Sequence, residues 1–131
     1  MIQSPEEFVR LRTSSSPDEY RRASQEHAPL EVWLEVVRNY PEMREWVARN
    51  KTVPLEILAS LASDPDPRVR HAVAMKRGLS SEILNKLSND EDASVRLQVA
   101  LHPKAPKEIL DAMKNDSWER VREEVARRLA Q

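Results

Sequence analysis

Four arginines, Arg44, Arg70, Arg96 and Arg122, recur every 26 residues, and three aspartates, Asp64, Asp90 and Asp116, keep the same interval. A register of guanidinium forks could clamp the phosphates of a nucleic acid or a phosphoprotein, because arginine binds phosphate oxygens bidentately. Acid and base repeating together also fit a structural pair. Each guanidinium then lies between units, hydrogen-bonded to the aspartate series and to helix-end carbonyls. The structural reading is the one favoured here, since the charges that become buried are the paired ones. A balance of 21 Lys+Arg against 22 Asp+Glu also leaves no net field to attract a polyanion.

Other catalytic chemistry finds little support. His27, His71 and His102 show neither ligand spacing nor a carboxylate–histidine–nucleophile set, and they are read as polar surface. No cysteine is present, which removes disulfides, thiolate nucleophiles and cysteine-ligated zinc or iron–sulfur sites together. The single glycine, Gly78, leaves no glycine-rich phosphate loop. The expectation is a non-enzyme without catalytic, cofactor-binding or metal-ligating residues.

The elements that position these residues follow from the same interval. Val69, Val95 and Val121 each open Val-Arg-x-x-Val-Ala, with Val73, Val99 and Val125 in step. Self-similarity at such a period means a stacked array of repeats. In residues 51–76, Pro54 suits a helix start, and Ile57, Leu58, Leu61 and Ala62 mark one helical stripe. Asp64-Pro65 reads as a cap and first-turn proline of a second helix, whose buried stripe is Val69, Val73 and Ala74. Lys76-Arg77-Gly78 closes it, with the glycine free to turn left-handed. Residues 77–102 and 103–131 repeat the pattern through Ile83, Leu84, Leu87, Val95 and Val99, then Ile109, Leu110, Met113, Val121 and Val125. Residues 27–50 match with Val32, Trp33, Val36, Met43, Val47 and Ala48, their inter-helix turn one residue short. Residues 1–26 read as a degenerate capping unit, with capping boxes at Ser4–Glu7 and Ser16–Glu19. The expectation is one repeat domain over 1–131.

Charged residues make up 33% and hydrophobic residues 40%, an ordinary globular composition. The start carries no basic flank followed by an apolar run, and no stretch has the apolar length to cross a bilayer. Cytoplasm is the default expectation.

Pro-x-Glu-Ile-Leu followed by Asp-x-Asp-x-x-Val-Arg-x-x-Val-Ala resembles the bacterial leucine-rich repeat variant, and is similar to short HEAT-like repeats. The likeness covers residues 27–128 well and 1–26 weakly. The period favours the variant, because HEAT and armadillo units run roughly 40–47 residues. The resemblance implies an all-α fold, a right-handed α-solenoid of short two-helix repeats in which some first helices tighten towards 3₁₀. It implies interaction scaffolding and no catalytic residues.

Two surfaces are candidates for that role. If Val69, Val73 and Ala74 face inward, the outer positions of the second helices include Trp46, His71, Met75, Leu97 and Leu101, a strip suited to a protein partner. Trp46 packing on the first unit and Leu97 covering its neighbour remain open against this. Trp118, in a turn, is either an exposed anchor or a lid on the last unit. The alternative is a nucleic-acid or phosphate-containing ligand on the basic inter-repeat edge, Arg49, Lys51, Lys76, Arg77, Lys104 and Lys107. The leading expectation is a non-catalytic adaptor for a protein partner, without nucleic acid, membrane or cofactor, as a monomer or weak homodimer.

Overall fold

The computed structural model describes residues 1–131. The chain is all-helical and divides into two compact units, Met1–Leu61 and Ala62–Gln131. The first unit holds α1 (Pro5–Thr13), α2 (Pro17–Gln25), α3 (Leu30–Asn39), α4 (Arg44–Arg49) and α5 (Leu55–Leu61), with a 3₁₀ turn at Pro41–Met43. The second holds α6 (Pro67–Ala74), α7 (Ser81–Ser88), α8 (Ala93–Leu101), α9 (Lys107–Ala112) and α10 (Glu119–Leu129). No helix is long and apolar enough to cross a membrane.

Local chemistry explains most helix starts. Ser4 and Ser16 accept the amides of Glu7 and Glu19, each followed by a proline whose missing N–H is no loss in a first turn. In the first unit α1 packs on α2 and α3, and α4 packs on α2, α3 and α5. Phe8 and Trp33, both buried, meet edge to face with centroids 5.3 Å apart. In the second unit α8 packs between α6 and α10, while α7 touches α6, α8 and α9. Its core is built from the leucine, isoleucine and valine stripes of these helices, all buried.

Three local expectations are corrected. The caps of α6 and α8 are Asp66 and Asp92, two residues beyond Asp64 and Asp90. The earlier carboxylates instead accept turn amides: Asp64 that of Asp66 at 3.0 Å, Asp90 that of Asp92 at 2.8 Å, and Asp116 that of Trp118 at 2.9 Å. In Asp-x-Asp the first acid folds the turn, leaving the second to cap. Gly78 has no positive φ, since α6 has already ended at Ala74 with a right-handed cap at Met75. The first helices α1, α3, α5, α7 and α9 are α-helical, and the 3₁₀ turn leads into a second helix, where the inter-helix turn is one residue shorter.

Candidate functional site

The arginine and aspartate registers meet at an offset of 20 residues. The Arg70 guanidinium donates from Nε to Asp90 Oδ2 at 2.8 Å and from Nη2 to Asp90 Oδ1 at 3.1 Å. Its Nη1 donates to the carbonyls of Asp64 and Pro65 at 2.8 and 3.1 Å. Arg96 repeats this, with Nε and Nη2 on Asp116 at 2.8 and 3.2 Å and Nη1 on the Asp90 carbonyl at 2.8 Å. One fork therefore ties a turn to the turn that follows. These side chains are almost closed to water, 8% and 7% exposed for Arg70 and Asp90, 14% and 8% for Arg96 and Asp116. The bond to Asp90 raises the Arg70 pKa above its ordinary value against the opposing effect of burial, and Asp116 does the same for Arg96. Burial pushes the Asp116 carboxyl up, but the bonds from Arg96 and the Trp118 amide outweigh it and hold it below the usual carboxylate range. Exposed Arg122 donates to the Asp116 carbonyl at 2.7 Å, and Arg44 donates to the Val37 carbonyl at 2.7 Å. The guanidiniums of Arg70 and Arg96, occupied by their carboxylate and carbonyl partners, have few donors left for a phosphate.

A second register, absent from the sequence reading, runs through the ends of the second helices. Asn50, wholly buried, donates from Nδ2 to the Ala23 and Glu26 carbonyls at 2.8 and 3.1 Å. Fifty-two residues on, His102 is 3% exposed, with Nε2 2.6 Å from the Lys76 carbonyl and Nδ1 accepting the Lys104 amide at 3.0 Å. That set of partners assigns the proton to Nε2. Arg128 donates from Nη1 to the Ala100 and His102 carbonyls at 2.8 and 2.6 Å. His102 is therefore a buried bridge, a correction to its reading as surface. The available signal was the 26-residue spacing of Asn50, Lys76, His102 and Arg128, all donors despite their different types.

Set against known proteins, the chain matches no family model, no curated protein and no solved structure. No group of three or more histidine, aspartate or glutamate side chains is arranged to hold a metal ion.

The proposed outer strip changes membership. Leu97 is buried at 7% exposure, which removes it from any docking surface. The reason is the packing of α8, which meets α6, α7 and α10 and so buries an arc wider than one stripe. His71 is half-buried. Met75 and Leu101, equivalent positions one period apart, are exposed at 51% and 43%. They line a shallow hollow of about 160 Å³ with Ala74, Arg77, Gln98 and Pro103.

Trp46 lies in the first unit, half-buried, where the Arg12 guanidinium sits 3.5 Å from its ring centroid. It lines a pocket of about 400 Å³ with residues of α1, α2 and α4. Trp118 is half-buried at the start of α10, 5.9 Å from the Arg120 guanidinium. Of the basic edge, Arg49 is bonded to Glu45 at 3.1 Å and Lys76 is half-buried, while Lys51, Arg77, Lys104 and Lys107 are exposed.

Proposed function

We propose that the chain is a non-catalytic protein-interaction module, a right-handed α-solenoid of short two-helix repeats akin to the leucine-rich repeat variant. In this reading it binds a protein partner through the outer face of its second helices. The observation that carries it is the pair Met75 and Leu101, large apolar side chains left exposed at equivalent positions beside one hollow. Methionine and leucine in such a place suit an apolar side chain of a partner, with Arg77 and Gln98 as a polar rim. The absence of cysteine fits work in the reducing cytoplasm. Arg70 and Arg96 support a non-catalytic role, because their donors are taken up within the fold.

The test compares partner capture by the wild type and by Met75→Glu/Leu101→Glu, with circular dichroism to check folding. Loss of a reproducible partner from a folded variant supports the reading. Equal capture by both proteins sinks the surface assignment. The alternative, a nucleic-acid or phosphate-containing ligand on the basic edge, is weakened by the engagement of Arg49 and the partial burial of Lys76. Salt-sensitive DNA or RNA binding at low ionic strength, lost in Arg77→Gln/Lys104→Gln, would restore it.

A further inference from the structure

The first unit carries a cation whose donors no protein group accepts. Arg12, in the last turn of α1, lies over two aromatic rings, Cζ being 3.5 Å from the Trp46 centroid and 5.0 Å from that of Tyr20. Cation–π attraction holds the guanidinium plane, but it leaves the N–H edge unoccupied. No carboxylate or carbonyl of the chain accepts a hydrogen bond from it. Its neighbours are not in this state. Arg21 stands 3.4 Å from Asp18, and Arg49 donates to Glu45 at 3.1 Å. The pocket of about 400 Å³ is thus lined by three arginines, of which two have a carboxylate partner. The remaining walls are Pro17, Tyr20, Ala23 and Trp46, together with Ser24.

From this we infer that the pocket is a carboxylate-binding site for an acidic peptide, with Arg12 as the anion receptor. A guanidinium fixed by stacking presents its N–H fork in plane, the geometry that a carboxylate accepts bidentately. One unpaired charge matches one carboxylate. A nucleic acid or polyphosphate tract needs several unpaired cations in register, and of the three arginines lining this pocket only Arg12 has no carboxylate partner. The apolar walls take the side chain next to the acid, so the ligand is a glutamate or aspartate flanked by an aliphatic residue. The site uses nothing of the Met75–Leu101 hollow and stands or falls separately from it.

The test is an NMR titration of the full ¹⁵N-labelled chain, following the Trp46 indole N–H and the Arg12 Nε–H. The probes are acetyl-leucyl-glutamyl-leucine amide, its glutamine counterpart, and inorganic phosphate. The glutamate peptide should shift both signals saturably, with the glutamine peptide about tenfold weaker or worse, as expected for loss of one charge-assisted bond. Arg12→Gln should abolish the response while Arg21→Gln keeps it. Should Arg12→Gln lose its fold, the two peptides on the wild type still decide. Equal affinity for both peptides, no shift at millimolar peptide, or tighter saturation by phosphate would each overturn the inference.

Discussion

Arg96 holds the carboxylate of Asp116, twenty residues away in the chain, with two hydrogen bonds at 2.8 and 3.2 Å, and neither side chain is more than 14% exposed. Asp116 is held below its ordinary pKa by this pairing. A carboxyl with a depressed folded-state pKa adds stability that is present above about pH 4, the unfolded value, and is lost as pH falls through the folded value. Asp116→Asn should therefore cost about 3 kcal/mol at neutral pH. Below pH 4 the gap from wild type should narrow. Urea unfolding across pH 3 to 7 checks this, and parallel stability curves would refute it.

Leu97 and Leu101 lie on the same helix, yet glutamate should be tolerated at only one of them. Leu97→Glu buries a charge without a partner and should cost about 4 kcal/mol or prevent folding. Leu101→Glu, at an exposed position, should stay within about 1 kcal/mol of wild type. Chemical denaturation of the two variants separates the cases, and similar losses would place Leu97 on the surface.

Asn50 should be sensitive to the loss of a single proton donor. Asn50→Asp keeps the shape but turns an oxygen towards the Ala23 and Glu26 carbonyls, which both lose their Nδ2 donor. The expected loss is about 3 kcal/mol at pH 7. A melting temperature unchanged in the variant would show these bonds to be idle.

Gly78 should be improvable. It has no positive φ, and a Cβ added there meets no atom within 4 Å. Gly78→Ala then stabilises by restricting the unfolded chain, by about 0.4–1 kcal/mol. A drop in melting temperature would show that the position does need glycine.

Local chemistry was legible in the sequence, and partners far along the chain were not. Ser4 and Ser16 cap as their spacing to Glu7 and Glu19 requires, and the valine stripes lie inside, because periodicity reports one face directly. Leu97 misled because a helix touching three others buries more than one stripe. Asn50, His102 and Arg128 escaped notice because they bond carbonyls 24 to 28 residues back, through a register whose residue type changes while its donor role persists. Arg12 and Trp46 meet from 34 positions apart in the chain, with no motif to announce the pair.

Arg70 and Arg96 are bound into the fold rather than offered to a ligand. A double-mutant cycle on Arg96→Met and Asp116→Leu, read by urea unfolding at neutral pH, measures this directly. A coupling of about 2–3 kcal/mol is expected for so enclosed a pair. A coupling near zero, as exposed surface pairs give, would contradict the account and return Arg96 to the pool of ligand-binding candidates.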